Sequence, residues 1–192
     1  LGAEGYMDAG FRRTIAYRPA RMRRVHFQKM VARVAPQARL LTFSHLAPQN
    51  YQKTFSLQLR YEVKGFAAGK KLIALRAPLS YHMLVPLRRF TYHLALPLPP
   101  KRRYRVVFRS TQEVTFNETI ALPAKTKVLF LPAAKTFRST VVDFDGSWKH
   151  KGDALHYHRS LRLKKKEFTA KEYLKFRKGI KMLRAFDRAE VL

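Results

Sequence analysis

The chain has 192 residues, enough for one domain or one domain with part of a second. Forty lysines and arginines stand against twelve aspartates and glutamates, a formal net charge of +28 that points to a polyanionic partner. There is no cysteine, which excludes disulfides, thiolate metal sites and a thiol nucleophile within this chain.

Hydrophobic residues make up 46% and aromatics 12%, a composition suited to a core and unlike that of disordered chains. No apolar run is long enough for a transmembrane helix. The first residue is Leu1 and no signal-type leader follows it, so the sequence reads as a piece of a longer protein. The charge does not sit in a tail. Residues 1–40 carry net +7, residues 41–132 net +12 and residues 133–192 net +9.

In chain order, residues 1–40 read as a basic connecting segment, of the kind that forms the tail of an upstream core domain. Within it Met22, Val25, Met30 and Val34 fit a helical stripe poorly, between Pro19 and Pro36. Residues 41–192 read as the folded domain. Phe55–Val63 alternates Phe55, Leu57, Leu59, Tyr61 and Val63 with polar residues, the period-two pattern of a half-buried strand, and Lys64-Gly65 turns the chain. Leu72–Ala77, Phe90–Leu96 and Tyr104–Arg109 are further strands, the middle one stopped by prolines. In Val114–Leu122 the residues Val114, Phe116, Ile120 and Leu122 share a face with Glu118 as an intruder.

Val128–Leu131 and Thr136–Phe144 are also read as strands. Ser147–His150 and Ala154–Leu163 flank a hairpin turn at Lys151-Gly152-Asp153. Last, Thr169-Ala-Lys-Glu172 is a capping box opening a helix over about residues 169–184. Its stripe is Tyr173, Phe176, Ile180 and Leu183, with cations elsewhere. The expected fold class is mainly β: an antiparallel β-sandwich-like domain with one C-terminal amphipathic helix.

Motifs for chemistry are sparse. No G-x-S-x-G turn and no glycine-rich phosphate loop occurs. His156 and His158 share a strand face, which is metal-ligand spacing, but Arg159 and Arg162 nearby would repel a cation, so a solvated face is the better reading. Asp143 and Asp145, followed by Gly146, read as a loop turn that lacks the further oxygen ligands of a calcium site. No cofactor and no catalytic residue is expected. Three basic clusters are candidate partner-binding residues: Arg21, Arg23 and Arg24; Lys101, Arg102 and Arg103; Lys164, Lys165 and Lys166. Basic residues also interleave with aromatics, as at Phe11-Arg12-Arg13 and Lys175-Phe176-Arg177, a pattern that can stack bases.

The C-terminal third carries Leu131-Pro132, the hairpin SWKHKGDALHYHRSLRLKKKEF, the basic strand Arg159–Lys164 and the helix start Tyr173-Leu174-Lys175-Phe176-Arg177; upstream lies NETIALP at 117–123. This resembles the C-terminal β-domain region of bacterial transglutaminase-like proteins, over about residues 40–192. The resemblance implies a non-catalytic scaffolding or binding domain that flanks a transglutaminase-like core, in the bacterial periplasm or envelope. That core would carry a Cys-His-Asp arrangement, and a chain without cysteine carries none of it. An acidic protein or an anionic envelope polymer is the expected partner. The rival reading is a nucleic-acid-binding, ribosome-associated basic protein.

Overall fold

A computed structural model describes residues 2–3, 6–66, 74–76, 98–108 and 110–192. The expected strand at Phe90–Leu96 lies outside these residues, as do the ends of that at Leu72–Ala77. The elements in order are β1 (Gly2–Ala3), α1 (Tyr6–Ala16), α2 (Ala20–Val31), β2 (Arg39–His45), β3 (Phe55–Glu62), β4 (Leu75–Arg76), β5 (Val106–Val107), β6 (Gln112–Ala121), β7 (Lys135–Phe137), β8 (Val142–Lys151), β9 (Ala154–Leu163), β10 (Glu167–Phe168), α3 (Ala170–Arg188) and β11 (Glu190–Val191). The fold is mainly β and antiparallel, with a C-terminal helix, as the sequence led us to expect. The main sheet runs β2-β3-β1-β6-β9-β8-β7, and β10-β5 and β11-β4 form two short ladders.

Alternation builds the sheet. In β9 the residues Leu155, Tyr157, Leu161 and Leu163 are buried, and β8 buries Val142, Phe144 and Trp148 opposite them. Trp148 and Tyr157 meet across the ladder at 5.0 Å between ring centroids. Each such side chain contributes about 1.5–3 kcal/mol by leaving water. The turn between β8 and β9 is Gly152-Asp153, and Gly152 takes a φ of 61°, the left-handed conformation that a two-residue hairpin turn calls for.

The helix α3 covers this face. Its capping box forms as the sequence pattern requires: Thr169 Oγ1 accepts from the Glu172 amide at 3.1 Å, and Glu172 Oε2 accepts from the Thr169 amide at 3.0 Å. Tyr173, Phe176, Gly179, Ile180, Leu183 and Phe186 are buried. The helix continues past residue 184 to Arg188 because its last turn supplies Phe186, whose ring packs on Phe144 and Tyr157. Close approach there explains Gly146: a Cβ on it would lie 2.6 Å from the Phe186 ring. Phe108, Phe168 and Phe176 then pack together, tying the β5–β10 ladder to the helix.

Three local expectations need correction. Residues 12–35 are helical on either side of Pro19, which is the N-cap of α2. The buried face of α2 is Phe27, Met30 and Val31, whereas Met22 and Val25 are exposed. The stripe was hidden because it is confined to the last turn and docks on β2, where Phe27 meets Phe43 at 4.9 Å. Thr136–Phe144 is not one strand. Ser139 Oγ accepts from the amides of Val141 and Val142 and donates to the Val142 carbonyl, which turns the chain between β7 and β8. The aspartates 143 and 145 therefore lie within a strand and not in a loop. Val128–Leu131 joins no ladder; the amides of Leu129 and Phe130 donate to the Leu192 carbonyl. Among the described residues no helix is long and apolar enough to cross a membrane.

The first forty residues contribute α1, α2 and β1, and β1 pairs with both β3 and β6. Arg12 of α1 is 3% exposed and donates to the carbonyls of Pro48, Asn50 and Lys53, holding the β2–β3 loop.

Candidate functional site

Two of the three basic clusters come together at the start of α3. Lys101, Arg102 and Arg103 lie exposed on the segment entering β5, and Lys164, Lys165 and Lys166 are exposed on the link between β9 and β10. The β5–β10 ladder joins the two segments, and the Phe108 amide donates to the Lys166 carbonyl at 2.6 Å. Tyr173 anchors the first segment. Its hydroxyl donates to the Pro99 carbonyl at 2.9 Å, and the Arg102 guanidinium lies 5.0 Å from its ring centre. Arg177 Nε adds a bond to the Leu98 carbonyl. Arg102 and Lys165, far apart in sequence, are therefore both held by the first turn of α3, at Tyr173 and Glu172.

These six residues are not equivalent. Lys164 Nζ bonds both oxygens of Asp143, at 3.1 and 3.0 Å, and the Ser139 carbonyl at 2.7 Å. Lys165 pairs with Glu172 at 2.7 Å. Burial raises the Asp143 carboxyl, but the Ser139 amide and Lys164 outweigh it and hold it below the ordinary value. Lys165 and the Thr169 amide depress Glu172 to about 2. Lys101, Arg103 and Lys166 have no ion-pair partner among the described residues. Tyr104, between Arg103 and Arg105, is 82% exposed.

The third cluster lies apart, on α2. Arg21 and Arg24 are exposed and Arg23 is half-buried. Arg24 donates to the Leu40 carbonyl and Arg23 to that of Arg18, so both help seat the helix.

Beside the first group a groove of about 620 Å³ runs between α3 and the β7–β8 turn, lined by Phe137, Arg138, Ser139, Thr140, Leu174, Lys175 and Lys178. The same Ser139 that shapes this turn receives Lys164, so the groove and the lysine cluster are continuous.

The sequence reading missed a buried ionic group. Arg159 is 1% exposed, on the inner face of β9 with Tyr157 and Leu161. Its Nη1 donates to Asp187 Oδ2 at 2.5 Å, and its guanidinium sits 4.5 Å from the centre of the Phe116 ring. Tyr157 donates to the other Asp187 oxygen at 3.0 Å. Burial holds the Asp187 carboxyl above its ordinary value although Arg159 and Tyr157 pull it down; a carboxylate in the last turn of a helix gains nothing from the dipole. Burial also pushes the Tyr157 hydroxyl well up, Arg159 opposing and Asp187 adding. Burial raises Tyr61 as it does Tyr157, and Glu118, the intruder on β6 that faces Tyr157 in register, adds to both shifts. Strand parity was the available signal: Arg159 and Glu118 fall on the apolar side of their strands.

The histidines lie on the opposite face. His158 Nδ1 is 2.8 Å from Asn117 Oδ1, and His156 Nδ1 is 3.2 Å from Thr119 Oγ1, both cross-strand contacts. Among the described residues no three His, Asp or Glu side chains converge as a metal site would require. Asp145 pairs with Arg138 at 2.7 Å.

The molecule is thus an antiparallel β-module closed by a capped, aromatic-rich helix, with cations gathered where that helix begins. The chain belongs to the family described as a domain of unknown function with a solved structure, DUF3858, which matches residues 80–192. No curated protein matches it. Among solved structures it is similar to a Parabacteroides distasonis ATCC 8503 protein described as a "putative protease", at 17% identity and a TM-score of 0.47. That match covers 53% of this chain and 20% of the other, so the chain corresponds to about a fifth of that protein's length.

Proposed function

We propose that the chain is a non-catalytic accessory domain, a scaffolding or binding module of a transglutaminase-like bacterial envelope protein. It meets an acidic partner through the cations at the start of α3. One observation carries the binding reading: Arg102 of one cluster and Lys165 of the other contact the adjacent residues Tyr173 and Glu172, and Lys101, Arg103 and Lys166 have no ion-pair partner among the described residues. The lack of cysteine supports the non-catalytic part, and the motifs at Leu131-Pro132, Arg159–Lys164 and Tyr173–Arg177 support the transglutaminase-like setting. A catalytic core and a periplasmic or envelope location would belong to the longer protein.

The test is salt-dependent binding of the full chain to polyglutamate and to single-stranded RNA. Polyglutamate binding that weakens when Lys101, Arg103 and Lys166 are changed to glutamate supports the proposal. Tighter binding to RNA, with a steep fall of log affinity against log salt, overturns it in favour of the nucleic-acid reading. The exposed Tyr104 ring between two arginines is what favours that rival, and Tyr104→Ala would then weaken RNA binding.

A further inference from the structure

We propose that the groove between α3 and the β7–β8 turn is a docking slot for an acidic peptide segment that carries an apolar side chain. The apolar group sits on Phe137 and Leu174, and flanking carboxylates reach Lys175 and Lys178. This rests on the acidic-partner reading above and narrows it to one groove and one ligand chemistry.

The floor is apolar and open to solvent. Leu174 is 50% exposed on the outer side of α3, one turn from Lys178 and next to Lys175. A single exposed leucine is ordinary. This one shares its groove with the half-buried Phe137 ring, so two apolar groups face the same space. The Phe137 ring is fixed from below, because it packs against Gly179 where a side chain would not fit: a Cβ there would lie 3.0 Å from the ring.

The charges around the floor are unequal. Asp143 is engaged by Lys164 and the Ser139 amide. Asp145 is engaged by Arg138, whose own charge it offsets. Lys175 and Lys178 have no ion-pair partner among the described residues: Lys175 Nζ is 3.5 Å from Thr140 Oγ1, and Lys178 Nζ is 5.9 Å from the centre of the Phe137 ring. Both can turn toward an incoming carboxylate without breaking an ion pair. Lys171, one turn before Lys175, and Lys166 extend the positive field beyond the groove.

A shallow groove with an apolar strip and two free ammonium groups fits an extended acidic-apolar peptide. It is too open to enclose an acyl chain, and it presents one ring where a nucleic acid would call for a stacking platform.

The test uses fluorescence anisotropy on the full chain with two labelled peptides of equal length and charge, one alternating glutamate with leucine and one alternating glutamate with serine. We expect the leucine peptide to bind about tenfold more tightly. Leu174→Asp should remove that margin, and Lys175→Glu with Lys178→Glu should weaken both peptides. All three residues are surface residues, and circular dichroism verifies that the fold persists. In the unmodified chain, the Leu174 methyl NMR signals should shift only with the leucine peptide. Equal binding of both peptides with no Leu174 shift overturns the groove and leaves the acidic-partner reading standing. Binding of neither peptide overturns both.

Discussion

Among the described residues of this strongly basic protein two arginines are buried, and they are buried in different ways. Arg12 lies under the β2–β3 loop, where it donates to three carbonyls and stacks near Tyr51 and Phe55. Arg159 lies under α3, where Asp187 and the Phe116 ring face its guanidinium. The first organises a loop locally. The second joins a strand to a helix 28 positions further on, so it fixes the packing of whole elements. Arg159 is also incompletely satisfied: its Nε has no hydrogen-bond partner among the described residues. Its environment is consequently less forgiving than the carbonyl cradle of Arg12, whose loop can also reach water.

The largest expected effect tests that contrast directly. Asp187→Ala leaves the Arg159 charge buried without its counter-ion and should cost about 3–5 kcal/mol in chemical denaturation. Replacing both partners at once, Arg159→Met with Asp187→Leu, should recover most of that loss, because the penalty comes from an unpaired charge rather than from a missing contact. A double variant as unstable as Asp187→Ala would break the comparison.

Arg12→Met should have the smaller effect, about 1–2 kcal/mol, since the freed carbonyls lie near the surface. Its signature is local: faster amide hydrogen exchange at residues 47–54, with the β8–β9 amides unchanged. Acceleration across the whole sheet would show that the two arginine regions unfold as one.

Much of this was legible in the sequence, for physical reasons. The β6 and β9 pattern, the Gly152 turn and the Thr169 cap are local signals, written in side-chain alternation and in a four-residue motif. What was illegible depends on tertiary contact. The face of α2 is defined by docking on β2. Ser139 turns the chain through its own hydroxyl in a stretch rich in strand formers. The identity of Arg159 suggests solvent although its position in β9 puts it inside. The basic clusters were visible as runs of residues. Which of them meet, and which are already neutralised by Asp143 and Glu172, depends on the β5–β10 ladder and on α3.

The smallest effect concerns the opposite ends of α3, whose carboxylates are displaced in opposite directions. Thr169→Ala should cost about 1 kcal/mol by removing the cap at the exposed end. Glu172 is depressed to about 2 in the fold against an ordinary 4.5, so its contribution is complete above pH 4.5 and is lost as the pH falls toward 2. Asp187 is raised, so its protonated form is the one the fold favours. Its contribution is greatest at low pH and declines as pH rises through the folded value. On acidification the cap at the exposed end therefore weakens, while protonation of Asp187 eases the burial of its own charge and takes the counter-ion from Arg159. NMR titration should place the Glu172 midpoint near 2 and that of Asp187 above an ordinary aspartate, and Thr169→Ala should move only the first, upward. A shift of both would mean that the cap and the Arg159 anchor are coupled along the helix, and the division between local and inter-element contacts would then fail within α3.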